Sequence, residues 1–278
     1  MAWSVREEQV WEEIEKWEGE HFSKQVTDFT LTAYKMLNSS LESLGSMNEK
    51  LLASLDDIIF HFYAIIQHRH FDEKKIAGLL SQARVFREDI YYIEDMKKLT
   101  IDQLRFIAEK QLARQKAAAL FQGGATGAGG LLFMLADLPL MLAVNLRTIQ
   151  LTAMNYGYDL RNPYEMMLVL KLFHAVSLPH HLQHEAWEEV FREAESSQGE
   201  AIFYDGKEDV TSKVWMQQPL KQTGKLLALG LLRRKTVQGV PLIGAAVGAG
   251  VNFSFARHVA EASHVFYQKR YLLEKKNK

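Results

Sequence analysis

The amino-acid sequence predicts an all-α protein, a single helical domain built around two glycine-rich central helices. Apolar residues recur at the three- and four-residue spacing of amphipathic helices along most of the chain. Runs that alternate β-branched and polar residues, as half-buried strands do, are missing. Only five prolines interrupt the 278 residues, so few positions forbid a helix.

The composition is that of a folded protein. Aromatic side chains make up 11% and the formal net charge is -1, which does not match the signature of disorder. The balanced charge gives no electrostatic reason to expect nucleic acid as a partner. The chain has no cysteine, which excludes disulfides, thiolate zinc sites and a cysteine nucleophile. The N-terminus lacks the basic and then apolar order of a signal peptide, so we expect a cytoplasmic protein.

The first predicted helix follows Ser4, which can form a capping box with Glu7. Its polar face is rich in glutamate, and its apolar stripe either packs on the protein's own core or lies on a membrane surface. Helices on membrane surfaces normally carry Lys and Arg on the polar face, so we expect packing on the core. The stripe consists of Trp3, Val10, Trp11, Ile14 and Trp17.

More helices follow at regular intervals. A strongly apolar stripe covers 51–66, and Asp72 is placed to cap a helix that contains Phe86. Thr100 and Gln103 form a second capping box. Later helices are predicted at 138–156, 163–177 and 180–195, and a basic helix ends at Arg233-Arg234-Lys235.

The predicted organisation is one continuous helical unit. Residues 1–99 form amphipathic helices that pack on the core, and residues 100–273 form the main helical domain. The basic tail 274–278 is expected to fray.

Two stretches without a charged side chain, 117–136 and 236–256, break the amphipathic pattern. Both reach the length at which a membrane-spanning helix becomes a candidate. Their alanine, glycine and scattered polar residues equally suit buried central helices of a soluble bundle. Both interpretations stay open at this point.

Each of these stretches contains a glycine-alanine run, and the runs match when Gly123 is set against Gly244. No Lys-Ser or Lys-Thr completes a phosphate-binding loop after either run, and no strand–helix–strand context supports a dinucleotide fingerprint. Small residues four apart leave a groove that lets two helices approach closely. We therefore expect a glycine zipper, in which Gly123 and Gly127 cross Gly244 and Gly248.

Four segments together carry a resemblance to a known family. They are the glycine run 123–130, Asp137-Leu138-Pro139, Tyr156-Gly157-Tyr158-Asp159 and the segment from Pro241 to Asn252. From about residue 100 to residue 270 the chain resembles the EcsC family, bacterial proteins whose genes often accompany an ABC-type transporter. The resemblance implies a non-enzymatic, membrane-associated accessory protein on the inner face of the membrane. ABC-transporter components are the implied partners, and no activity or cofactor is implied.

Asp137 is an isolated acidic residue within an apolar region. It either caps a helix that starts at the next residue or is a buried carboxylate paired with Arg257 or Arg147. Asn252, Arg257 and Glu261 recur at a spacing that lets them share a helix face with such a carboxylate. We predict a polar site formed by Asp137, Asn252, Arg257 and Glu261.

Histidines cluster at the predicted helix 180–195. His180 and His184 are one turn apart and could present two ligands to a metal. The spacing is not His-Glu-x-x-His and fixes no third ligand, so we predict no metal site. His258 and His264 flank Glu261 and are expected to serve packing.

Two other functions stay open from the residues alone. One is a membrane-associated hydrolase of lipids or hydrophobic peptides, and the other is a helical bundle that binds a hydrophobic ligand. No Gly-x-Ser-x-Gly elbow and no nucleophile beside an obvious base supports the hydrolase. A pocket lined by Asp137, Asn252 and a histidine would favour it, whereas a filled core would favour the accessory role.

Overall fold

A computed structural model of the chain describes residues 3–23, 73–113, 130–178, 180–196 and 241–276, and along 130–142 and 241–252 it gives the course of the helical backbone. Within these ranges every regular element is a helix, which confirms the all-α class. The α-helices are α1 (Val5–Phe22), α2 (Glu73–Arg84), α3 (101–113), α4 (Gly130–Asn155), α5 (Pro163–Ser177), α6 (His180–Ser196) and α7 (Pro241–Lys276). A 3-10 helix spans Ile93–Lys98.

Helix α1 packs on the core as predicted. The amide of Glu7 donates to the Ser4 hydroxyl (3.3 Å), and the Glu7 carboxylate accepts from the Ser4 amide (2.9 Å), so the capping box is confirmed. Val10 and Ile14 are buried in the hydrophobic core. The stripe therefore faces the protein itself, and its tryptophans pack against the core at Trp3, Trp11 and Trp17.

The region from α2 to α3 confirms one local prediction and corrects another. The Thr100 amide donates to Gln103 (2.9 Å), so the second capping box is present. Helix α2 ends at Arg84, and Phe86, which was expected within it, lies beyond its end and is exposed. The helix stops there because the Phe86 amide donates to the Ala83 carbonyl (2.9 Å), which closes a tight final turn.

Helix α4 begins earlier than the sequence indicated. It starts at Gly130, so Asp137 lies inside the helix and the prediction that Asp137 caps a helix at Leu138 is wrong. Residues 131–136 are leucine, phenylalanine, methionine and alanine, mostly good helix formers that let the helix extend upstream. Pro139 is also inside α4, where it removes one backbone donor.

Helix α4 ends in a Schellman motif at Gly157. The amide of Gly157 donates to the Met154 carbonyl (3.0 Å), and that of Tyr158 donates to the Ala153 carbonyl (3.1 Å). Gly157 has a φ of 84°, and a Cβ on it would lie 2.6 Å from Cγ of Lys97. Glycine is therefore required here by both the backbone and the packing of the Lys97 side chain.

Gly157→Ala is expected to lower the free energy of unfolding by about 1–2 kcal/mol, because a left-handed backbone costs a residue with a Cβ that much. Urea unfolding followed by circular dichroism measures the effect. Gly78→Ala in α2 is the matched control, since its Cβ would meet no atom within 4 Å. The control substitution should raise the free energy of unfolding by up to about 1 kcal/mol, because alanine favours a helix over glycine. Equal effects of the two substitutions on the free energy of unfolding would contradict the requirement for glycine at position 157.

Helices α4, α5 and α6 form two consecutive antiparallel hairpins. Gln150 of α4 reaches Met166 of α5, with 3.6 Å between Nε2 and Sδ. The Tyr164 hydroxyl of α5 donates to the Glu193 carbonyl of α6 (2.8 Å). Short connections between neighbouring helices give this antiparallel order.

Helix α7 lies antiparallel to α5 and therefore runs in the same direction as α4. Arg270 pairs with Glu165 near the start of α5, and His258 approaches the Val176 carbonyl near its end (3.2 Å). Since α4 and α7 are both antiparallel to α5, the N-terminal parts of α4 and α7 point toward the same end of the bundle. Contact between α4 and α7 is the most extensive between any two labelled helices.

The end of α7 corrects the prediction that residues from 274 onward fray. The helix continues to Lys276. Glu274 accepts from Lys97 Nζ (2.6 Å), and Lys275 donates to Glu7 (2.5 Å). These partners on the 3-10 helix and on α1 hold the last turn in place.

The glycine zipper stays a prediction. Gly123 and Gly127 lie outside the described residues, whereas Gly244 and Gly248 belong to the helical backbone of α7. The apolar stripe 51–66 and the basic segment at 233–235 also lie outside them.

No helix in the described part of the chain combines the length and apolar character that crossing a membrane requires.

Candidate functional site

The most buried charged group on α7 belongs to what we call the Arg270 network, formed by Arg270, Glu165, Glu274 and Lys97. The Arg270 guanidinium donates to both Glu165 carboxylate oxygens (2.6 and 2.8 Å), and the two side chains are 7% and 10% exposed. Glu274 lies 3.4 Å from Arg270 Nε and 2.6 Å from Lys97 Nζ. Two cations and two carboxylates therefore alternate, and the network is neutral.

The ring of Tyr158 completes this network. The Arg270 guanidinium lies 3.9 Å from the ring centroid, and Lys97 Nζ lies 4.2 Å from it. Burial raises the pKa of Tyr158 well above its ordinary value, so its hydroxyl stays protonated. Burial alone would lower the pKa of Arg270, but Tyr158 and Glu165 outweigh that effect and raise it. The Arg270 network fastens α5, α7 and the 3-10 helix together.

A second polar grouping, the histidine cluster, joins three helices through His21, His180 and His258. His21 lies in the last turn of α1, and its ring stacks on Trp17 with 4.5 Å between centroids. The rings of His21 and His258 are also stacked, at 5.1 Å and 17°. The His180 ring lies 5.3 Å from the His21 ring.

Gln183 connects the histidine cluster to the end of α5. Its buried amide donates to the Leu178 carbonyl (2.8 Å) and the Val176 carbonyl (3.2 Å), which fixes the orientation of the amide. Its Oε1 faces His21 Nε2 at 3.2 Å. The His258 Nε2 lies 3.2 Å from the same Val176 carbonyl, so His258 carries its proton there.

Burial, with a smaller contribution from the nearby His21, lowers the pKa of His258 to about 4. His258 is therefore neutral at physiological pH. The aromatic and apolar side chains around the cluster leave a space of about 10 Å³, at the lower limit for one water molecule. Such a space has no room for a substrate. Burial lowers the pKa of His174 on α5 as well.

His180 and His184, which were only a weak candidate pair for a metal, have different partners. The His180 Nε2 lies 2.7 Å from the His21 carbonyl, and the exposed His184 packs its ring on Phe22 at 4.9 Å. Within the described ranges, no three His, Asp or Glu side chains stand where they could hold a metal ion.

The structure describes two members of the predicted polar site. Arg257 Nε and Glu261 Oε1 form a pair at 2.7 Å, with side chains 61% and 39% exposed. The side chains of Asp137 and Asn252 lie outside the described residues. Pairing between Asp137 and Arg257 therefore stays a prediction. His258, expected to serve packing, is packed in the histidine cluster.

Sequence reasoning missed Glu165, Arg270 and His21. One feature of the sequence could have indicated that Arg270 is buried. It lies three residues after Tyr267 and four after Phe266, so it shares the helix face of these two buried side chains. Nothing local indicated that Glu165 is its partner.

The chain was compared with known proteins. The model of the EcsC protein family matches residues 8–272. A relative described as "Uncharacterized protein YdbA", from Bacillus subtilis (strain 168), is 26% identical over 276 residues, which are 95% of this chain and 92% of the relative. "Protein EcsC" from the same organism is 25% identical over 179 residues, which are 64% of this chain and 68% of the relative. No solved structure matches the chain significantly. The family match covers most of its length, and the chain belongs to the EcsC protein family.

Proposed function

We propose that this protein is a non-enzymatic accessory protein that binds the inner face of the membrane peripherally and works with an ABC-type transport system. The transport link is what the resemblance to the EcsC family implies. The membrane link comes from the geometry of α4 and α7.

The observation that carries the membrane part is the shared direction of α4 and α7. Residues 130–136 of α4 and 241–256 of α7 have no charged side chain. Because the two helices run in the same direction, these charge-free sections point toward one end of the bundle. Both sections are free of charge in sequence, and charge-free segments gathered at one end of a bundle suit a membrane or protein contact.

The non-enzymatic part is supported by the state of the buried polar groups that the structure describes. The Arg270 network is neutral and closed, and the histidine cluster surrounds a space no larger than a water molecule. An active site needs a reachable group beside room for a substrate. The polar groups at these two places hold helices together instead.

Membrane fractionation of cells that express the protein tests the membrane part. We expect the wild-type chain in the membrane pellet after a high-salt wash and in the supernatant after a carbonate wash. Leu132→Asp, in the charge-free section of α4, should move the protein to the soluble fraction. Leu182→Asp is the matched control, because this leucine is exposed on α6, and it should fractionate as the wild type does.

A wild-type chain found only in the soluble fraction would contradict membrane binding. Resistance to carbonate would replace peripheral binding with integral insertion. If Leu132→Asp fractionated as the wild type does, the charge-free end would not be the membrane contact. Co-purification of ABC-transporter components from solubilised membranes tests the transport link separately, and their absence would contradict that link alone.

A further inference from the structure

The last turn of α1 is held by imidazole rings from three helices. His21 of α1 stacks on His258 of α7, and both lie beside His180 of α6. Each ring takes part in a hydrogen bond. The partner of His21 is Gln183, that of His180 is the His21 carbonyl, and that of His258 is the Val176 carbonyl. Neutral rings make all of these bonds without a net charge.

A positive charge on His258 would meet little compensation among the described residues. Glu261, which acts on His258, is already paired with Arg257 at 2.7 Å, and Glu18, one turn before His21, is paired with Lys269 at 2.7 Å. Helix α5 faces the cluster with the Val176 carbonyl, and His184 of α6 packs on Phe22 of the same turn without adding a negative charge. The charge would therefore lie in a partly buried position, stacked on the His21 ring at 5.1 Å.

We propose that the histidine cluster is an acid-sensitive contact, which releases the last turn of α1 from α6 and α7 when His258 becomes protonated. The release is confined to this turn. Further toward its N-terminus, α1 stays attached through Glu13 to Arg105 (2.7 Å) and through Glu7 to Lys275 (2.5 Å). Burial opposes ionisation of Glu7, but its hydrogen bonds to Lys275 and Ser4 outweigh burial and lower the pKa of its carboxyl group.

The direction of the pH dependence follows from linkage. Burial holds the pKa of His258 at about 4 in the folded protein, below its ordinary value of 6.5. The released form therefore binds the proton more tightly, and protons favour release. The contact is fully held above about pH 6.5 and weakens as the pH falls from there toward 4.

A fluorescent label tests this contact directly. Ser23, the exposed residue after α1, is replaced by cysteine, which is then the only thiol in the chain, and bimane is attached to it. Trp187 of α6 packs on Phe22 of the last turn at 5.8 Å, and because tryptophan quenches bimane at close range, we expect stronger quenching while the turn is docked. We expect bimane emission to rise between pH 6.5 and 4, while far-ultraviolet circular dichroism stays unchanged.

Two substitutions identify the group responsible. His258→Gln keeps a donor for the Val176 carbonyl but takes no proton, so the midpoint should fall by about one pH unit or more. His264→Gln, also on α7 but with its ring beside Tyr156 rather than in the cluster, should titrate as the wild type does. His21→Gln is the alternative variant if His258→Gln fails to fold at pH 7.5. Constant emission down to pH 4, or an unchanged midpoint in the substituted cluster, would overturn the proposal.

Discussion

Glu165→Leu is expected to lower the free energy of unfolding by about 3–5 kcal/mol, because it leaves the buried Arg270 guanidinium without its bidentate partner. The two side chains are 10% and 7% exposed, so water cannot replace the lost carboxylate. Chemical denaturation at pH 7, followed by far-ultraviolet circular dichroism, measures the loss.

The double variant Glu165→Leu/Arg270→Met separates the charge effect from a packing effect. Removing both charges should recover most of the stability, since apolar replacements of a buried pair are often neutral or better. Glu261→Leu is the surface control, and loss of its exposed pair with Arg257 should cost at most about 1 kcal/mol. A Glu165→Leu loss as small as that of the surface control would contradict a buried ion pair.

Trp187→Ala is expected to cost about 3–5 kcal/mol by leaving a large cavity. Trp187 is 2% exposed, and its ring contacts Trp17 of α1 and Phe266 of α7. Its indole donates to Glu18 (2.8 Å). Thermal unfolding measures the change. Trp187→Phe keeps a ring in place and should lose less, because it removes chiefly the hydrogen bond to the Glu18 carboxylate, worth about 1.5–3 kcal/mol. Equal losses in the two variants would contradict the cavity explanation.

The sequence predicted best those features that depend on neighbouring residues. The segment 163–177 was predicted as a helix and is α5, where the Asn162 side chain accepts from the Tyr164 amide (3.0 Å) and Pro163 opens the first turn. Both capping boxes formed as the spacing indicated. Signals of this kind act within one helical turn, so a single sequence contains all of the information.

The start of α4 could not be located in the same way. The sequence Asp137-Leu138-Pro139 is typical of a helix start, with aspartate as the cap and proline in the first turn. The helix formers at 131–136 outweigh that local preference, and α4 begins at Gly130. Tertiary context decides such cases, because packing stabilises more of a helix than one cap does.

The candidate sites depend on contacts between residues far apart in the chain. Glu165 and Arg270 are 105 positions apart, and His21 and His180 are 159 apart. Helical periodicity shows which residues face the core but not which helices become neighbours. Sequence analysis therefore identified individual histidines and acids without their partners.

The contacts between α1 and α7 couple the unfolding of the two helices. The Trp3 indole donates to the Leu272 carbonyl (3.0 Å), and Lys269 holds Glu18. Each of these contacts stabilises both helices, so the stability of α1 depends on α7 and that of α7 depends on α1. We therefore expect that loosening the earliest helix weakens the latest one, and that both unfold in one cooperative step although more than 200 residues separate them along the chain.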